Sequence, residues 1–266
     1  METNILMDII RNIITPIVAL IALIRPWFWA LWARLFQQGR IEIYHTGTLE
    51  IGYSLYGPTI GLNGTLRGLH KDLFVRSIIL ELTRMKDSAK HTFEWALFRS
   101  QKMTLSGEQQ GSFELPYGFM LSTAFPYRYN VQFHDMQLQA EQAQLMSSYS
   151  EEWNNIRNHG LLPHGTASPA EISGLTRDLY ERFKSTPLAV KTYTDLGRLS
   201  YWEAGKYILK MKILTPRANR SFEKEWKFTL TESQVNSVNL NVLKILEDYC
   251  GQTSFDRYFF AFPKYE

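Results

Sequence analysis

"YRYNVQF" (127–133) alternates without a fault: Tyr127, Tyr129, Val131 and Phe133 share one face while Arg128, Asn130 and Gln132 share the other, the period-2 signature of a half-buried strand. Three residues later the period changes. Met136, Ala140, Ala143, Met146, Tyr149, Trp153 and Ile156 step by three or four, and Glu141, Gln142, Gln144, Glu151 and Glu152 occupy the intervening surface, which predicts an amphipathic helix. A clean strand running into a long helix makes the chain a β-rich protein that carries helical insertions.

Upstream the strand pattern repeats. Residues 41–53, 59–67, 73–84, 91–98 and "FELPYGFML" (113–121) are short runs rich in β-branched and aromatic residues. Gly57-Pro58, Asn63-Gly64 and Asp87-Ser88 punctuate them as turns or bulges. Downstream, "SPAEISGL" (168–175) begins a second helix, with Ser168 as cap, Pro169 at the first helical position and Glu171 completing a capping box. Alternation resumes at "GKYILKMKILT" (205–215) and "FEKEWKFTL" (222–230), a predicted hairpin whose Lys and Glu faces can pair across strands for at most about 1 kcal/mol per contact. Thr231 and Gln234 form a further capping box ahead of a helix that ends near Gly251. These elements predict an antiparallel immunoglobulin-like β-sandwich over residues 39–266, with a helical insertion at about 136–187 and a C-terminal helix. A sandwich followed by a separate α+β domain is the alternative, since no Gly/Ser/Pro linker marks a boundary.

The opening residues, 1–38, follow neither pattern. "IITPIVALIALIRPWFWALWARLF" (13–36) is apolar on all sides up to Ile24 and then crowds Trp27, Trp29 and Trp32 beside Arg25, Arg34 and Arg40. A bilayer core is about 30 Å thick and a helix rises about 1.5 Å per residue, so the stretch is long enough to span. Arg25 costs about 2.5–3.5 kcal/mol at a bilayer centre, and Pro26 disfavours helical geometry before it, so a break into two segments is expected. Tryptophan and arginine together are the composition of a membrane interface. The expected lipid-contacting side chains are Ile17, Leu20, Leu23, Arg25, Trp27, Trp29 and Trp32. The competing reading is a helix buried in a protein core or in a homo-oligomer. A signal peptide fits less well, because bulky "RPWFW" follows Ile24 where small residues would mark cleavage. Arginines on the C-terminal flank favour a cytoplasmic main domain.

Composition narrows the function only by exclusion. The chain has 266 residues, 45% of them hydrophobic, and a formal net charge of +3 without any Lys/Arg tract, so nucleic-acid binding is not indicated. One cysteine, Cys250, cannot form an intramolecular disulfide, which leans towards a reducing compartment. The six histidines lack zincin spacing, and no G-x-S-x-G elbow or phosphate-cradling glycine loop occurs, so neither metal, cofactor nor catalytic residue is expected. His134-Asp135 is read as the turn from strand to helix rather than as a phosphohydrolase dyad. His159 and His164 in "NHGLLPHG" (158–165) are candidate contacts on a loop, with solvated loop residues as the ordinary alternative.

The function expected from these features is a membrane-anchored, non-enzymatic adaptor that presents the sandwich to a protein partner or ligand. A membrane-perturbing or channel-like effector, its N-terminal segment gated by the soluble part, is the second expectation, because arginine within a membrane segment points to function. A soluble hydrolase, signalled by a polar pocket near His134, His159 or His164, is the third.

Overall fold

The computed structural model describes residues 15–36, 38–45, 49–103, 109–161, 168–216, 221–252 and 258–266. An N-terminal helix α1 (Thr15–Phe36) precedes nine strands: β1 (Arg40–Tyr44), β2 (Leu49–Ser54), β3 (Gly57–Leu69), β4 (Leu73–Val75), β5 (Ser77–Arg84), β6 (Lys90–Met103), β7 (Gln109–Glu114), β8 (Phe119–Leu121) and β9 (Tyr127–His134). Helices α2 (Met136–Leu161), α3 (Pro169–Phe183) and α4 (Pro187–Leu199) follow. The hairpin β10 (Gly205–Leu214) and β11 (Ser221–Leu230), helices α5 (Glu232–Asn239) and α6 (Asn241–Tyr249), and the short β12 (Phe260–Ala261) complete the chain.

Ten strands form one antiparallel sheet, eight of them in the order β11-β10-β5-β6-β9-β3-β2-β12 with β1 added on β3 and β7 on β6; the sheet is curled into a half-barrel, and β4 pairs β8 separately. One curled sheet therefore stands where the sequence reading expects the two sheets of an immunoglobulin-like sandwich. The cause lies in two long strands. β3 takes β9 on one edge and both β2 and β1 in succession on the other. β6 takes β9 on one edge and both β5 and β7 on the other, with Phe98 paired to Val131 and Glu114 at once. Strands on both sides of β3 and β6 are thereby hydrogen-bonded into one sheet. Asn63 and Gly64, expected as a turn or bulge, lie inside β3, where Gly64 pairs with Tyr129 of β9: a Cβ there would come within 2.5 Å of the Tyr44 carbonyl oxygen and 2.6 Å of the Tyr129 hydroxyl.

The inner face collects the buried alternate residues of each strand, among them Ile51, Ile60, Leu62, Leu80, Phe93, Val131, Phe133, Leu209, Met211 and Phe228. Burying one such side chain contributes about 1.5–3 kcal/mol, so this row is the main source of stability. The helices supply the rest of the core through Tyr149, Trp153, Phe183, Leu196 and Ile245. Ser168 caps α3 with Glu171 in a closed capping box, and Thr231 and Gln234 do the same for α5. The helix expected to run to Gly251 divides at Leu240, and buried Asn241 bonds the Tyr53 and Phe259 carbonyls and the Phe259 amide. α4, capped by Thr186, was not anticipated.

The sheet's open edges, β2 and β11, are joined by the last residues. Phe260 and Ala261 pair with Gly52 and Ile51, Tyr265 bridges Phe228, and the Glu266 amide donates to the Lys227 carbonyl at 2.9 Å. Residues 260–266 act as a clasp across the mouth of the half-barrel.

Candidate functional site

Two places stand out, an apolar helix and a polar cleft. α1 is one continuous helix that passes through Pro26, so the expected break does not occur. Proline at that position removes one backbone donor but leaves the rest of the helical ladder intact. Every described side chain of residues 21–29, together with Leu31 and Trp32, is exposed. Leu23 is 71% exposed, Trp27 79% and Trp29 57%, and Trp29 meets Trp32 edge-on at 5.8 Å. Arg25 is exposed with them, while the side chains of Ile17 and Leu20 lie outside the described residues. Among the described residues no helix is long and apolar enough to cross a membrane.

The cleft forms where β9 hands over to α2. Asp135 accepts from the Leu138 amide at 3.2 Å and so caps α2, as the turn reading of His134-Asp135 expects. Its second oxygen lies 3.4 Å from His91 Nδ1. His91 belongs to the inner row of β6, opposite Leu82, with Phe93 next in the row. At the sheet's rim this row meets Tyr201, whose ring stacks on His91 at 3.7 Å and 4°. Tyr201 adopts a positive φ of 35° and its carbonyl accepts from Arg84 at 3.1 Å. A left-handed tyrosine is strained, and here the ion-paired Arg84, held by Asp87 and Glu203, fixes it. The cleft encloses 370 Å³ between Lys90, His91, Thr92, Glu94, Asp135 and the first turn of α2. Asp135 beside Nδ1 places a carboxylate next to the imidazole, a pairing used in acid–base sites. Burial and the nearby Asp135 carboxylate push the Tyr201 phenol well above its ordinary range, so it stays protonated.

On the outer face a charged pair is held in a row across four strands. Arg99 on β6 grips Glu50 on β2 at 2.9 and 2.8 Å and also donates to Gln132 on β9 at 2.9 Å. Gly61 on β3 makes this reach feasible, since a Cβ there would meet Glu50 at 3.1 Å. Beside it, buried His134 stacks on Tyr56 at 5.3 Å. Burial, with a smaller contribution from the Arg99 charge, lowers its pKa to about 4 and keeps it neutral.

Of the two candidate loop histidines, only His159 is described, and it is not brought to the cleft. His159 is exposed in the last turn of α2, which extends to Leu161, and His164 lies outside the described residues. Among the described residues no group of three His, Cys, Asp or Glu side chains is arranged to hold a metal ion. Sequence reasoning missed His91 as a site residue. The signal was present in the alternation His91, Phe93, Trp95, which puts a histidine in an otherwise aromatic inner row. No protein-family model matches the chain, and no curated protein matches it.

Proposed function

We propose that the chain is a membrane-attached recognition protein, in which α1 inserts into one leaflet and holds the half-barrel at the surface for a protein partner or ligand. The observation that supports this is the exposure of large apolar side chains along the described part of α1. Eight of them, Ile21, Leu23, Ile24, Trp27, Phe28, Trp29, Leu31 and Trp32, are left in solvent. Covering such a surface is worth on the order of 10 kcal/mol, which outweighs the cost of about 2.5–3.5 kcal/mol for Arg25 at its deepest placement. Residues 15–24 rise about 15 Å, half of the bilayer core, so Arg25 and the three tryptophans fall at the headgroup level when the helix enters one leaflet. Arg25, Arg34 and Arg40 lie on the side of the body, and we place that body on the cytoplasmic face.

Flotation of the full chain with anionic vesicles tests the reading. Wild type is expected to float and Leu23→Glu/Trp29→Glu to remain at the bottom of the gradient. Flotation of both, or of neither, overturns it, and a self-associated wild type that does not float would instead assign α1 to contacts between copies. In the channel-like reading, Arg25→Leu would abolish vesicle leakage while leaving flotation intact.

A second reading has its own observation. The His91–Asp135 pair beside a 370 Å³ cleft favours acid–base chemistry on a small polar substrate, with His91 Nε2 as the base. Hydrolysis of a generic ester panel that is lost in both His91→Gln and Asp135→Asn, with vesicle flotation unchanged, would support catalysis. An equal rate in all three proteins would leave the cleft to binding alone.

A further inference from the structure

We infer that the outward face of the small sheet β4–β8, with the loop after it, is a second membrane contact that fixes the orientation of the half-barrel on the bilayer; the inference rests on α1 being the first. Phe74 and Met120 are direct cross-strand partners in this sheet, and both point away from the core, at 39% and 58% exposure. Val75 and Leu121 on its other face are fully buried. Phe125, 76% exposed, stands in the following loop, which is pinned by the Thr123 amide donating to Asp72 at 2.7 Å. The prongs are therefore held by a fixed scaffold. A Cβ on Gly118 would lie 2.2 Å from the Phe74 ring, so the absence of a side chain just before β8 leaves room for the phenylalanine.

Their position decides the occupant. Gly39 is packed on Leu73, the first residue of β4, with its missing Cβ 2.8 Å from the leucine Cδ2. Only three residue steps join Gly39 to Phe36, the last residue of α1, and a fully extended chain covers at most about 3.6 Å per step. The end of α1 is thereby confined to within about 11 Å of the β4 end of the body. If α1 is in lipid, the exposed Phe74, Met120 and Phe125 are carried to the headgroup region beside it. Arg40 and Arg76, both exposed around the same end, add positive charge where anionic headgroups lie. Lipid is the partner that is continuous with α1, tolerant of scattered aromatic prongs and complementary to that charge.

The test uses the full chain bound to phosphatidylcholine/phosphatidylglycerol vesicles, with an environment-sensitive fluorophore on one added cysteine at a time and nitroxide-bearing lipid as quencher. Cys250 is buried and does not compete for the label. Labels on Met120→Cys and Phe125→Cys are expected to shift to the blue and lose emission to the quencher, as does Leu23→Cys in α1, while Val190→Cys on α4 keeps its aqueous spectrum. Every substituted side chain is exposed, and circular dichroism of each labelled protein checks the fold. Quenching at 23 alone overturns the second contact and leaves the anchor. Quenching at none of the sites overturns both, and quenching at 190 as well overturns a fixed orientation.

Discussion

At the residue scale, the outer face of the sheet places a neutral histidine beside an ion pair, and each has a measurable consequence. His134 is held neutral in the fold, down to about 4 from 6.5, whereas the unfolded chain binds a proton below 6.5. The unfolded state thus carries more protons between those values, so the stability this group contributes is complete above pH 6.5 and is lost as the pH falls towards 4. At about 1.4 kcal/mol per pK unit the full effect is about 3 kcal/mol. His134→Gln should flatten this part of the urea-unfolding profile, visible as a smaller difference in midpoint between pH 7 and pH 4.5 than in wild type. Arg99→Met leaves the Glu50 carboxylate, 18% exposed, without its bidentate partner. Stranding a charge of that kind costs about 3 kcal/mol, and the expected reading is a lower unfolding midpoint with an unchanged slope. Replacing Glu50 and Arg99 together by Gln and Met should restore much of the loss, because no charge is then left unpaired.

Among the elements, strands were legible where their faces differ and illegible where geometry depends on contacts far along the chain. The row Tyr127, Tyr129, Val131, Phe133 and the hairpin of β10 and β11 were readable from alternation alone, as were the capping boxes at Ser168 and Thr231. Asn63-Gly64 was misleading: a dipeptide that favours turns lies within a 13-residue strand because Gly64 must leave space for the Tyr44 carbonyl. Gly64→Ala is expected to push β1 off β3. A backbone oxygen cannot yield as a flexible side chain does, so the cost should reach about 2 kcal/mol, with accelerated amide exchange at residues 40–44 while β9 stays protected. The Arg25-Pro26 break failed for a different reason: the preference of a residue before proline for extended geometry is a bias, and an otherwise strong helical run overrides it. The cleft could not be assembled from sequence because His91, Asp135 and Tyr201 come from a strand, a helix cap and a segment after α4. Only folding brings them within reach of one another.

For the molecule as a whole, the curl of the sheet is the property that sequence patterning could not convey. Alternation reports that one face is buried, and it reports equally well on two stacked sheets or on one sheet bent over itself. What distinguishes them here is the pairing of β3 and β6 with two strands along one edge, together with the clasp at 260–266. Removing residues 260–266 should therefore loosen both edges at once. Hydrogen exchange is expected to rise in β11 around residues 227–229 and in β2 around residues 51–52, although the two are distant in the strand order; protection retained at β11 would show that the edge holds without the clasp. The same clasp imposes a timetable on synthesis. α1 leaves the ribosome before any strand has a partner, whereas residues 260–266, which join the two edges, emerge after β1–β11 are complete. The body therefore locks only when residues 260–266 arrive, after every other strand of the sheet is in place.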